Sequence, residues 1–144
     1  GNTNDPQQEC ERYSSLLKEY PVDIVCMGIG ENGHIAFNDP HVADFNDPLS
    51  AKVVELSAES RCQQVHDGCF PVVEEVPAAA ITLTIPVLLD ADIICCVVPG
   101  SHKAEAVYHT LYSDITPQNP ATILRTHGHG TLYLDKDSAS EVNR

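Results

Sequence analysis

One short stretch concentrates side chains that can move protons. Gly28-Ile29-Gly30-Glu31-Asn32-Gly33 runs straight into His34-Ile35-Ala36-Phe37-Asn38-Asp39-Pro40. Histidine is the side chain whose ordinary pKa lies nearest neutrality, which suits it to general acid–base work. Asn32 and Asp39 flank His34, and a carboxylate five residues on can fix the imidazole tautomer and raise its basicity. A structural loop histidine bonded to a nearby carbonyl is the alternative, and residue types alone leave both standing. A second candidate is Lys103, which follows Gly100-Ser101-His102. At the start of a helix, backbone amides and an ammonium group together make an anion site. A solvated lysine is the alternative there, although a cation at the positive end of a helix is mildly unfavourable and an anionic partner would explain it. His127-Gly128-His129 has the spacing of a chelate, yet no cysteine or carboxylate cluster lies near it in sequence except Asp135. It reads as a glycine-rich turn before a strand, and no metal site is expected.

The glycines of 28–33 match G-x-G-x-x-G after a strand, which alone is weak evidence for a dinucleotide site. The second half of that fingerprint fails. The motif must open an amphipathic helix, and Pro40 stops any helix after about two turns. The glycines are better explained by close backbone approach or by positive φ.

These residues need a frame. Asp5-Pro6 opens a helix, with Asp5 as N-cap and Pro6 in the first turn. Tyr13, Leu16, Leu17 and Tyr20 form its apolar stripe, and Pro21 ends it. Residues 22–27 and 93–98 are nearly continuous apolar runs, as expected of strands covered on both faces. Residues 52–56, 81–84 and 131–134 read as further strands. A short helix starts at Pro86, another runs from N-cap Ser101 to Tyr112, a helical turn covers 121–124, and 135–139 form a C-terminal turn. Strands separated by helices predict an α/β domain with a mostly parallel sheet and flanking helices, residues 1–144 forming a single unit. Ligands of such sheets bind beyond the carboxyl ends of the strands, which singles out the loops 28–40 and 99–103.

Composition narrows the partners. The 144 residues carry 8 Lys+Arg against 21 Asp+Glu, a formal net charge of -13. A protein that tracks phosphates along a nucleic acid needs a basic face, and an anionic membrane attracts a basic one, so neither partner is expected. A small phosphorylated ligand needs only a few donors and stays open. Hydrophobic residues make up 42%, enough for a core, and no run approaches the ~20 apolar residues of a membrane span. The six cysteines lie mainly in core-like runs without C-x-x-C, so they read as buried free thiols of a reducing cytoplasm.

The loop residues resemble a known signature. Gly28 to Pro40, read as Gly-Ile-Gly-Glu-Asn-Gly-His-Ile-Ala-Phe-Asn-Asp-Pro, is similar to the active-site motif of the glucosamine-6-phosphate deaminase/isomerase family, which is related to the 6-phosphogluconolactonases. Residues 2–20 resemble the family's helix before that strand. Residues 76–91 resemble its Val-Pro, Ala-(Ile/Leu)-Thr, Leu-Leu-Asp-Ala segment, and Gly100-Ser101-His102-Lys103-Ala104 its phosphate loop. The lactonases share Asp-Gly-His but continue Thr-Ala-Ser-Leu-Phe-Pro. Here Ile35 to Asn38 side with the deaminases.

The resemblance implies a Rossmann-like domain that converts a hexosamine 6-phosphate to a ketose 6-phosphate with release of ammonia, in cytoplasmic amino-sugar catabolism. It implies His34 as the ring-opening acid/base, with Asn32 and Asp39 as its orienters. Gly30, Gly33, Lys103 and Arg61 are implied to hold the sugar phosphate. No metal or organic cofactor is implied, because the adjacent carbonyl already acidifies the migrating proton. The family usually has Asp at position 32 and Glu at position 39. An arginine of the family's phosphate site aligns near 61–66, where His66 falls closest and Arg61 is the nearest cation. Family members are longer, with a proton-shuttling aspartate and part of the phosphate loop upstream. This chain is therefore expected to be the C-terminal portion of the domain, inactive by itself, with homo-oligomer formation left open. A lactonase and a sugar-phosphate-sensing module without turnover are the competing functions, the latter kept alive by Asn32.

Overall fold

The computed structural model describes residues 5–142, so the Asn2–Asn4 part of the expected first helix lies outside the described residues. Asp5 accepts a hydrogen bond from the Gln8 amide at 3.0 Å, and Pro6 occupies the first turn, so α1 (Pro6–Glu19) starts where the capping residues require. The chain then forms β1 (Ile24–Met27), β2 (Ala51–Glu55), α2 (Ala58–His66), β3 (Ala79–Leu83) and α3 (Ile85–Leu89). Beyond these come β4 (Ile93–Val98), α4 (Ala104–Tyr112) and β5 (Gly130–Leu134). Strands β1, β4 and β5 make a parallel sheet in the order β1-β4-β5, with Cys26 opposite Cys95 and Cys96 opposite Leu132. Strands β2 and β3 form a separate antiparallel pair. The mixed α/β architecture with a parallel sheet is thus as expected.

The core lies on one side of the parallel sheet. Ile94, Cys96 and Val98 point into it and pack with Ile29, Ile35, Ile85, Leu88, Val107 and Ala121. Alternation then dictates what the other face carries. Ile24 is 54% exposed, Val97 54% and Tyr133 53%, with Ile93 and Cys26 open beside them. Here the structure corrects a sequence expectation. Residues 22–27 and 93–98 look like strands covered on both faces, but among the described residues only one face is covered. Helix α1 does not supply the second cover, because it packs against β2. Of its expected stripe, Tyr13, Leu16 and Tyr20 stay exposed and the buried residue is Cys10.

Three further expectations change. Ser101 does not cap α4: Gly100, at φ 94°, turns the chain into a single 3₁₀ turn over Ser101–Lys103, with no side-chain cap. The cysteines are all free but not all buried. Cys26, Cys62 and Cys69 are exposed, Cys95 is half-buried, and burial pushes the Cys96 thiol up to about 11. Helix α2 is an addition to the expected elements, since its mostly polar sequence lacks a strong apolar period. Its cap was readable: Ser57 accepts from the Ser60 amide at 3.0 Å, with Glu59 in the first turn. The His127 and His129 rings lie against the carbonyls of Ala91 (2.8 Å) and Asp92 (3.2 Å), clasping the turn before β4. Among the described residues no helix is long and apolar enough to cross a membrane.

Candidate active site

Parallel neighbours release their carboxyl ends on the same side, so the loops after β1, β4 and β5 meet there. The loop after β1 closes on itself: the Gly30 amide bonds the His34 carbonyl at 2.8 Å and the Gly33 amide bonds the Gly30 carbonyl at 3.1 Å. Gly30 has a steric reason to be glycine, because a Cβ there would come 2.2 Å from the His34 ring. Gly33 combines φ +78° with close contact to Asn119. Gly30 is therefore explained by packing against the His34 ring, and Gly33 by its backbone conformation and the Asn119 side chain. Ala36 sits at φ 51°, a strained left-handed conformation of the kind that collects at functional sites. Asn38 locks the far end of the loop, donating to the Ile35 carbonyl (3.0 Å) and the Leu83 carbonyl (2.8 Å).

Inside this loop His34 is buried with its Nδ1 turned inward. Asn32 Oδ1 lies 2.8 Å from Nδ1, Ser60 Oγ 3.1 Å and Asp39 Oδ1 3.3 Å. The Asn32 amide nitrogen donates to Asp39 Oδ1 at 2.9 Å, and Ser60 Oγ donates to the same oxygen at 2.7 Å. The Ser57 amide donates to the other carboxylate oxygen at 3.3 Å. Burial of Asp39 disfavours its charge, but the hydrogen bonds from His34, Asn32 and Ser60 outweigh that and hold its carboxyl well below the usual range. Asp39 is shorter by a methylene than the glutamate the resemblance implies, and it nevertheless reaches the cluster. Asn32 bridges His34 and Asp39 through opposite ends of its amide. The second ring nitrogen of His34, Nε2, has no hydrogen-bond partner among the described residues, and the ring lines an open cleft of about 430 Å³. Gly28, Gly30, Phe37, Gln63 and Thr82 are among its walls.

The loop after β4 brings in Lys103. Its side chain is almost wholly buried and makes no hydrogen bond or close ion pair among the described residues. Burial pushes its ammonium below the ordinary lysine range, with Asp67 and Glu31 pulling the other way. A partly desolvated ammonium without a paired anion fits a site that receives one. Asp135, at the end of β5, accepts from the Gly100 amide at 3.0 Å and the Ser138 amide at 2.8 Å and so fixes the start of this loop. Sequence reasoning missed Asp135 in this role and also missed Ser60 and Gln63, whose side chain accepts from the Glu31 amide at 3.1 Å. Their loop partners lie between 21 and 35 residues away, so no local spacing announces them.

The Arg61 side chain turns to backbone carbonyls of the segment after α2. Its Nη2 donates to the Val73 carbonyl (2.7 Å) and the Val76 carbonyl (3.1 Å), which ties α2 to the following segment. His66, one helical turn further on, is exposed, with Nδ1 3.6 Å from the Glu31 carboxylate.

Comparison with known proteins adds an independent line. The sequence model of the family described as glucosamine-6-phosphate isomerases/6-phosphogluconolactonase matches residues 1–134. A glucosamine-6-phosphate deaminase of Bacillus cereus (strain B4264) is 40% identical over 140 residues, covering 97% of this chain and 52% of the relative. One from Clostridium botulinum (strain Eklund 17B / Type B) is 38% identical over 144 residues, covering 99% and 56%. The chain spans about half the length of the curated relatives it matches. Among solved structures, a monomeric glucosamine-6-phosphate deaminase superposes with a TM-score of 0.90 at 35% identity, over 98% of this chain and 57% of that one. A 6-phosphogluconolactonase from Leishmania guyanensis shares the fold, with a TM-score of 0.71 at 23% identity.

Proposed function

The chain belongs to the glucosamine-6-phosphate isomerase/6-phosphogluconolactonase family, and from that premise we propose that the protein to which residues 1–144 contribute deaminates a hexosamine 6-phosphate. Water enters, ammonia leaves, and the sugar emerges as the ketose 6-phosphate. The observation that carries this reading is the orientation of His34: Nδ1 is held by Asn32 beside a buried, ionised Asp39, and Nε2 is left for the cleft.

In this mechanism the protonated His34 gives its Nε2 proton to the ring oxygen as the bond from the anomeric carbon to that oxygen breaks, while the anomeric hydroxyl releases its proton to water and becomes the carbonyl. The imidazolium that must form beforehand is stabilised by the Asp39 charge 3.3 Å away. Asn32 cannot ionise, so it contributes orientation, and the carboxylate charge comes from Asp39 alone. General acid–base help of this kind is worth about 10²–10⁴-fold. Lys103 takes the phosphate, whose charge supplies the anion its partly desolvated ammonium lacks. Gly30 serves by keeping backbone close to His34, Gly33 by turning the loop against Asn119, and Arg61 by bracing α2.

Residues 1–144 are read as part of one α/β domain, acting on a small sugar phosphate. The cytosol is its proposed compartment, consistent with six free thiols. Ile35 to Asn38 favour a deaminase over a lactonase. The test is ammonia release by the full-length protein from glucosamine 6-phosphate and galactosamine 6-phosphate, with lactone hydrolysis measured in parallel. Release from either hexosamine phosphate supports the reading. Lactone hydrolysis without ammonia release overturns it.

A further inference from the structure

We propose that Ser60 is a positioning residue for His34: it keeps the proton on Nδ1 and so reserves Nε2 for exchange with the substrate. The inference rests on the deaminase reading only for the reaction it serves, because the tautomer follows from proton accounting in the cluster. Asp39 is fully buried and, as a carboxylate, can only accept. Ser60 Oγ is 2.7 Å from Asp39 Oδ1, so the single hydroxyl proton of Ser60 goes to Asp39. What Ser60 then turns towards His34 Nδ1, at 3.1 Å, is a lone pair. A lone pair there requires a proton on Nδ1. Asn32 repeats the argument, since its amide nitrogen is spent on Asp39 and its oxygen faces Nδ1.

Ser60 adds something Asn32 cannot. Asn32, His34 and Asp39 all belong to one loop and could shift together. Ser60 comes from the first turn of α2, is itself only 1% exposed, and is held by the Ser57 cap. Ser57 in turn donates its amide to Asp39. The loop is thereby pinned to a helix at the carboxylate that orients the ring, and Gln63 pins it again at Glu31 one turn later. Positioning by a neighbouring rigid element is how an acid–base group is kept within the small tolerance that proton transfer demands.

The test uses the full-length protein as wild type, Ser60→Ala and Ser60→Thr, with ¹⁵N-labelled histidine. The wild-type His34 is expected as the Nδ1–H tautomer. In Ser60→Ala a second tautomer becomes populated, and kcat for ammonia release falls by about tenfold, less than for loss of the imidazole itself. KM stays within about twofold, as expected when only a transition-state contribution is lost. Ser60→Thr, which keeps the hydroxyl, restores both tautomer and kcat. An Nε2–H tautomer in the wild type overturns the proposal. So does an Ala variant with unchanged tautomer and kcat, or a Thr variant as impaired as Ala. If Ser60→Ala does not fold, Ser60→Cys, which keeps the size but is a weak donor, takes its place with the same expected losses. If the wild type releases no ammonia, the deaminase reading fails and the tautomer measurements alone decide Ser60.

Discussion

The carboxyl end of the parallel sheet and its outer face are built from the same strands and treat side chains in opposite ways. Beyond β1 the chain buries His34, Asp39 and Ser60, three polar groups it could have left in water, and gives each a partner. On the outer face it leaves Ile24, Val97 and Tyr133 bare, although burying them would be favourable. Buried polar groups cost free energy unless satisfied. The cluster meets that condition on every side but one, the His34 ring nitrogen that is left open to a cleft. The outer face shows the opposite: its apolar side chains gain no burial among the described residues. One region gives burial to polar groups and the other leaves apolar groups without it.

The largest expected effect probes the reactive end. His34→Gln in the full-length protein should lower kcat for ammonia release by about 10²-fold or more. An unchanged kcat with the cyclic substrate would remove the reason for the buried cluster and put both regions on the same structural footing. Next comes the anion site. Lys103→Ala should weaken sugar-phosphate binding by roughly ten- to a hundredfold, the equivalent of a charge-assisted contact. The unphosphorylated sugar should bind as before. Calorimetry with both ligands checks this, and equal losses would assign Lys103 to the fold.

The two faces of the sheet can be compared within β4 itself. Val98 is 1% exposed and its neighbour Val97 54%. Val98→Ala should destabilise by about 1.5–3 kcal/mol, as for a buried aliphatic truncation. Val97→Thr should stay within about 0.5 kcal/mol. Urea unfolding of residues 1–144 measures both. Equal costs would mean that the outer face is covered in solution.

The smallest effect over ordinary conditions is that of pH. Asp39 has a native pKa held below its unfolded value of about 3.9. Its contribution is fully present above that unfolded value and is lost as pH falls through the native one. Urea midpoints should therefore show no pH dependence from Asp39 between about pH 5 and 8, where its contribution is constant, and decline below about pH 4. Asp39→Asn should lower stability near neutrality and flatten the acid decline. A wild type whose midpoint is as high at pH 3 as at pH 7 would contradict the ionised, hydrogen-bonded carboxylate.

Local chemistry determined much of this protein directly. Asp5 and Pro6 set the start of α1, because a cap acts over three residues. The apolar run 93–98 announced β4 to the residue. The alternation-free apolar runs, together with the helices between strands, gave away a parallel sheet. His34, Asn32 and Asp39 stood out because they share one loop, and the structure does bring them together. Tertiary structure alone decided what depends on long-range approach. It recruited Ser60 from α2 and Asp135 from the end of β5 to hold the two site loops. It turned Arg61 onto the carbonyls of Val73 and Val76, and it used the histidines of 127–129 to clasp a distant turn. It also decided that α1 lies on β2 and leaves one sheet face open. A residue's type and its near neighbours specify which interactions it can make. Which partner it finds is a property of how the elements pack, and that is settled only when the whole chain competes for the same contacts.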